Sequence, residues 1–361
     1  MKNLDFPSLR IGDLVAPVPI IQGGMGIGIS LSGLSSAVAS QGGIGVIAAA
    51  GIGMCETDFF KNYLQANIRA LRNEIRKAQS LTKGILGVNI MVALSNFSDY
   101  VTASIQEGID IIFAGAGLPL NLPTYLSKNS KTKLVPIISS ARAAHVLITR
   151  WQERYHYTAD AIVLEGPQAG GHLGFKIDQI NNPSYQLDQL LPEVLKAVSL
   201  LESKYNKKIP VIAAGGIYNG KDIKKYLSMG ASGVQMATRF VATEECDASN
   251  DFKQAYLMAE KKDVVIIKSP VGLPGRAIQN KFLFDVSEGQ KKPFSCPYHC
   301  IITCDPNTTP YCIASALTHA KKGQFKHGFA FAGSNVWRIN QMVSVDELIK
   351  TLRKEFEDAS H

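Results

Sequence analysis

The sequence predicts an α/β fold, a (β/α)8 TIM barrel with a smaller, mainly helical C-terminal insertion covering the barrel mouth. Three observations carry this. Eight short runs rich in β-branched residues alternate strictly with longer amphipathic stretches. The runs are apolar throughout rather than alternating, as expected of parallel strands covered on both faces. Glycines, joined by one His, one Asn and one Gln, gather just beyond the ends of these runs. In a parallel barrel all those positions share the C-terminal rim, where barrel enzymes keep their sites.

In chain order the predicted strands are residues 17–21, 45–49, 84–90, 109–114, 134–138, 161–164, 210–214 and 233–236. Helix-like stretches fall between them at 33–40, 58–80, 97–107, 122–127, 141–154, 187–205 and 219–229. The loops that follow strands carry Gln22-Gly23-Gly24-Met25, Ala50-Gly51, Asn89, Gly115-Ala116-Gly117, Ser139-Ser140, the 165–172 loop, Gly215-Gly216 and Gln235-Met236-Ala237-Thr238. After Thr243 the alternation stops. Residues 1–243 therefore read as the barrel and 244–326 as a small helical lid or substrate domain. Residues 327–361 read as a C-terminal segment whose amphipathic helix, 345–358, returns to the barrel. The lid holds a helix-like piece at 251–261, a turn-rich stretch at 269–276 and a group of cysteines.

Hydrophobic residues at 46% and charged residues at 19% describe a globular chain with a large core. No segment is apolar for long enough to cross a bilayer. Asp5, Arg10 and Asp13 interrupt any secretory apolar core near the start, so the expected location is cytoplasmic. The formal charge of +8, from 38 basic and 30 acidic side chains, is dispersed. It lacks the basic stripe interleaved with aromatics that nucleic acid requires, and is compatible with an anionic small-molecule ligand. A homodimer is compatible with the sequence.

Four of the six cysteines crowd into Cys296, Cys300, Cys304 and Cys312. The first three recur every fourth residue and would share a helix face if that stretch were helical. The spacing matches no zinc or ferredoxin pattern, so no metal site is assigned and reduced, buried thiols are expected.

The most informative stretch is Val163-Leu164-Glu165-Gly166-Pro167-Gln168-Ala169-Gly170-Gly171-His172. An apolar run breaks into glycines that let backbone approach a flat ligand, and the loop ends at a histidine able to move protons near neutral pH. Farther on, strand, helix and strand over 211–238 form a phosphate-type arrangement. Loops after the seventh and eighth barrel strands commonly hold phosphate on backbone N–H groups; here Gly215 and Gly216 would admit its oxygens and Thr238 would offer a hydroxyl.

With these pieces in place, the chain from about residue 17 to 239 resembles the FMN-dependent nitronate monooxygenases, also called 2-nitropropane dioxygenases. The related flavin-dependent enoyl-acyl-carrier-protein reductases share the fold. The motifs that carry the resemblance are Gly23-Gly24-Met25, Gly87-Val88-Asn89, Ala169-Gly170-Gly171-His172 and Gln235-Met236-Ala237-Thr238. The resemblance implies an FMN across the barrel mouth, its phosphate at Gly216 and at Gln235 to Thr238. It also implies that Asn89 hydrogen-bonds the flavin, that Met25 and its glycines pass beside the ring, and that His172 faces the reactive edge. Glu165 stands where nitronate monooxygenases usually carry glutamine, which is more like the reductase branch.

The resemblance thus implies an oxidoreductase that converts alkyl nitronates and O2 to carbonyl compound and nitrite, with His172 as base. A reductase of the enoyl-acyl-carrier-protein type is the alternative, with NAD(P)H as co-substrate and an acyl-carrier protein as partner. A barrel like inosine monophosphate dehydrogenase would need a nucleophilic cysteine after strand six, and that loop has none. A non-catalytic flavin-binding barrel would need no proton-transfer residue at the rim.

Overall fold

The computed structural model describes residues 5–292 and 294–359. Eight parallel strands close into a barrel: β1 (Ile20–Gln22), β2 (Ile44–Ala48), β3 (Ile85–Met91), β4 (Ile111–Gly115), β5 (Lys133–Ile138), β6 (Ile162–Glu165), β7 (Val211–Ala214) and β8 (Gly233–Met236). Each overlaps one of the eight expected runs. β1 starts later than expected because Pro17 and Pro19 lack the N–H a ladder needs.

Register places the chemistry on one rim. Ala48 pairs with Asn89, Glu165 with Ala214, Ala214 with Gln235, and Gln22 with Met236. The barrel interior is packed rather than open, filled by Ile21, Val46, Phe113, Val135, Val163 and Ile212. Leu9 and Ile11 join that cluster from a hairpin not anticipated from the sequence, Leu9–Ile11 against Leu14–Ala16, which closes the N-terminal end of the barrel.

Among the helices, Ser32–Ser40, Tyr63–Leu81, Phe97–Gln106, Ala141–Tyr155, Leu187–Tyr205 and Gly220–Ser228 follow the expected stretches. Residues 122–127 form only a short 3-10 turn, Leu122–Tyr125, with Pro123 in its first turn. The 58–80 stretch becomes helical only from Tyr63. Helix Ser32–Ser40 begins at Leu31, which has no capping side chain. The cap comes instead from Asp247, whose carboxylate accepts from the N–H groups of Leu31, Gly33 and Leu34 at 2.7–3.1 Å.

Residues beyond the barrel depart from the expected picture in two ways. Between helices Asn250–Leu257 and Lys281–Ser287 lies an antiparallel ribbon, Val264–Lys268 against Pro274–Ile278, whose second strand also pairs with Gly171–His172. The turn-rich 269–276 stretch is thus the tip of a ribbon reaching into the site. The described residues of 288–312 contain no helix, so the cysteines do not share a helix face; Pro297 and a left-handed His299 (φ +45°) interrupt the stretch. The final helix, Val345–Asp358, opens on a Ser344–Glu347 capping box and packs on Gly220–Ser228, where Gly220 N–H donates to Glu355 at 2.8 Å.

Candidate active site

The C-terminal rim surrounds a mainly apolar cavity of about 740 Å³, within the range of cofactor-sized pockets. Every residue expected at the site lines it: Gly23, Gly24, Met25, Asn89, Glu165, Gly170, Gly171, His172, Gly215, Gly216, Gln235, Met236, Ala237 and Thr238. Residues separated by more than two hundred positions in sequence meet here because each follows a different parallel strand.

Gly24 rests directly against Asn89, and a Cβ there would overlap the Asn89 side chain. At the opposite end, Gly216 holds φ at +83°, a conformation costly for any other residue. The Gly216 carbonyl accepts from Asn335 Nδ2 at 2.7 Å, and Gly333 N–H donates to Thr238 Oγ1 at 3.1 Å. Ser334 N–H donates to the Gln168 carbonyl at 3.1 Å. The phosphate-type end therefore has a third wall, residues 333–335, that the sequence reading did not assign. Its signal was present: the apolar run Phe329-Ala330-Phe331-Ala332 breaks into Gly-Ser-Asn, as the strand-end loops do. A flat ring with a phosphorylated tail fits this outline, with small residues where the ring would pass and a glycine turn where the phosphate would sit.

His172 stands on the cavity wall in the edge strand that pairs with Gly275. Its Nε2 hydrogen-bonds Ser269 Oγ at 2.7 Å, and its ring meets Phe331 edge-on at 5.0 Å. Burial disfavours the imidazolium and pushes the His172 pKa down to about 4, so the ring is neutral at physiological pH. Glu165, at the end of β6, is shifted the other way. Burial alone raises its carboxyl to about 7.

Ser269 and Arg276 hold the His172 loop and were not assigned from the sequence. Arg276 is 6% exposed, and its Nη1 donates to the Pro167 and Ala169 carbonyls at 2.6 and 2.7 Å. It thereby fixes the loop that leads to His172, and desolvation lowers its pKa to about 10. Arg276→Met would leave both carbonyls unsatisfied and is expected to destabilise the protein by about 1–3 kcal/mol. Urea unfolding checks this, and an unchanged midpoint would show that the loop holds itself.

Gln22 has a structural role beneath the rim, its amide donating to the Gly23 and Val46 carbonyls and accepting from Val46 N–H. Among the described residues, no set of three His, Cys, Asp or Glu stands in metal-binding geometry, and no helix is long and apolar enough to cross a membrane.

The nitronate monooxygenase family model matches residues 10–355. A probable nitronate monooxygenase of Staphylococcus aureus (strain Newman) is 29% identical over 299 residues, which cover 75% of this chain and 78% of that one. A Mycobacterium tuberculosis protein named (3aS,4S,5R,7aS)-5-hydroxy-7a-methyl-1-oxo-octahydro-1H-indene-4-carboxyl-CoA dehydrogenase is 29% identical over 273 residues, 76% of this chain. The chain spans only 66% of that relative's length. Among solved structures, FabK from Thermotoga maritima superposes with a TM-score of 0.73 at 26% identity, covering 95% of this chain and 94% of that one.

Proposed function

Because the chain belongs to the nitronate monooxygenase family, a family of oxidoreductases, we propose that it is an FMN-dependent enzyme that oxidises alkyl nitronates with O2 to carbonyl compound and nitrite. The observation that carries this reading is the neutral, half-buried imidazole of His172 held on the cavity wall by Ser269. A histidine with a pKa near 4 is neutral at physiological pH and offers a ring lone pair but no imidazolium proton, which suits abstraction of an α-proton better than protonation of an enolate.

FMN, when bound, supplies the oxidant for the nitronate and the route of its electrons to O2. Gly216, Gln235 to Thr238 and residues 333–335 would hold its phosphate. Gly23, Gly24, Met25, Asn89, Gly170 and Gly171 would border its ring, and Gly215 would complete the turn beside the phosphate. With Nε2–H donating to Ser269 Oγ, Nδ1 would carry the lone pair that receives the α-proton of a neutral nitroalkane; with the other tautomer Ser269 would donate to Nε2. That transfer leaves an imidazolium beside an anionic nitronate. Their attraction in an apolar cavity offsets part of the burial cost that keeps the free imidazole neutral. The apolar walls also limit water around the reacting carbon.

Nitrite release from an alkyl nitronate in air tests the activity, and heat denaturation tests the cofactor by releasing FMN. A protein that makes no nitrite, or that releases FAD, contradicts the reading.

Glu165 favours the second reading, an NAD(P)H-dependent reductase of the enoyl-acyl-carrier-protein type fed by an acyl-carrier partner. A carboxyl with a pKa near 7 is partly protonated at neutral pH and able to donate. In either case Glu165 sets a pH dependence. Its folded pKa lies above the ordinary 4.5, so the folded state holds the proton more tightly. The carboxyl's contribution to stability is therefore lost as pH rises from 4.5 through about 7. Glu165→Gln is expected to melt higher than wild type above that window and to erase an inflection near pH 7 in kcat/KM. An inflection that survives the substitution assigns it to another group.

A further inference from the structure

We propose that the cavity carries, beside the space for the flavin, a lobe for the uncharged apolar tail of the substrate, and that Phe60, Tyr63 and Tyr298 make this lobe select long-chain nitronates over short or charged ones. The residues that would border the flavin and its phosphate follow β1, β3, β6, β7 and β8 or lie at 333–335. The same cavity is also walled by the segment after β2 and by residues 294–317. Met54, Phe60, Tyr63, Leu94, Ile301 and Leu317 line this part, and all of them present carbon or sulfur surface apart from one phenol oxygen.

The charge of the lining is as telling as its shape. Among the described residues around the whole cavity, Glu165 is the one carboxyl and none is Lys or Arg. A tail that ends in a carboxylate would give up its hydration and meet no cation in return. A methylene chain gains from the same burial, because only its contact with water is lost.

The aromatic wall is built rather than incidental. Tyr298 stacks on Tyr63 with ring centroids 4.8 Å apart and planes 13° from parallel. Phe59 meets both rings edge-on, at 5.3 Å from Tyr63 and 5.2 Å from Tyr298. The Tyr298 hydroxyl donates to the Phe60 carbonyl at 3.2 Å, which straps the later segment onto the earlier one. On its other side the strap is tied to the loop after β3: Ser95 N–H donates to the Cys300 carbonyl at 3.2 Å, and Ile302 N–H to the Ala93 carbonyl at 2.9 Å. Phe59 is only 2% exposed and anchors the group, whereas Phe60 is 80% exposed and marks the solvent end of the lobe. Leu118, a second exposed apolar side chain, lines the same cavity. Apolar groups left open together at the mouth of an apolar cavity mark a place where an apolar ligand lies.

The choice among nitronates rests on the nitronate reading; the lobe itself does not. The test uses the full-length, flavin-loaded protein and straight-chain nitronates from nitropropane to nitrooctane, with the ω-carboxylate analogue of nitrooctane. Burying one methylene should raise kcat/KM roughly fourfold, so the series should climb steeply while the carboxylate analogue falls well below nitrooctane. Tyr298→Ala should flatten the climb, with the loss on KM rather than kcat, and Tyr298→Phe, which keeps the ring stack, should preserve it. Phe60→Arg changes an exposed side chain that the fold does not depend on. It should shift the preference toward the carboxylate analogue by about tenfold, through charge pairing at the mouth. A flat series in the wild-type protein, a carboxylate analogue as good as nitrooctane, or a length dependence that neither substitution alters would overturn the proposal. Calorimetric titration with unreactive straight-chain amides reads the lobe without turnover. Amides that bind more tightly with length, while no nitronate of any length is oxidised, would defeat the nitronate reading and leave the lobe standing. Amide binding that is indifferent to length would overturn the lobe.

Discussion

His172→Ala is expected to lower turnover of a neutral nitroalkane by about a hundred- to ten-thousand-fold while the flavin stays bound, the range that general acid–base assistance supplies. The side chain lies on the cavity wall and hydrogen-bonds Ser269, not the residues that would hold the phosphate, so its removal takes away the proton acceptor and leaves those residues in place. The Ser269 hydroxyl loses one partner and keeps only its long contact with Val271 N–H, 3.4 Å, so a modest loss of stability accompanies the substitution. The diagnostic is substrate choice. A pre-formed nitronate has already given up its α-proton, and its oxidation should fall far less than that of the nitroalkane. Steady-state rates on both substrates decide the matter. Equal losses on both would remove the base role, and no loss on either would make His172 a packing residue.

Gly216→Asp is expected to empty the cofactor site while the barrel remains folded. Two effects add at this position. The backbone holds φ +83°, which an L side chain adopts at a cost, and a Cβ would meet Gln168 Oε1 at 2.6 Å. The Gln168 amide can swing aside, but its Cβ, 2.9 Å from the added atom, moves only with the backbone. The carboxylate cannot be accommodated in the same way, because it brings negative charge to the place where a phosphate would bind. Gly216→Ala separates the two, since it keeps the strain and lacks the charge. The alanine variant should keep part of its flavin and the aspartate variant close to none, by absorbance of the purified proteins. Full occupancy in the aspartate variant would move the phosphate elsewhere.

The barrel was legible because its information is local. Each strand is a short apolar run, each rim loop is a break into glycine or amide, and parallel closure brings Asn89, Glu165 and Gln235 to the one cavity where the ribbon holds His172. The amino-terminal hairpin was also within reach, since Gly12-Asp13 between Leu9–Ile11 and Leu14–Ala16 is a two-residue hairpin turn with Gly12 at φ +59°. What could not be read depends on partners far away in the chain. Nothing near Leu31 shows that its helix is capped by Asp247, and nothing near Ser269 or Arg276 shows that their ribbon pairs with Gly171–His172. A buried arginine is visible only when its neighbours are known. The four cysteines were visible as a group, but a helical period fitted to them misplaced their geometry, because Pro297 and His299 turn the chain.

The central claim is that a flavin in this cavity is reduced by a nitronate. Anaerobic mixing of the purified yellow protein with an alkyl nitronate, NADH or NADPH in separate syringes tests it most directly. Rapid bleaching by the nitronate, with slow or no bleaching by either nicotinamide, is the result this account predicts. Rapid bleaching by NADH or NADPH, with none by the nitronate, would contradict it and place the protein with the enoyl reductases.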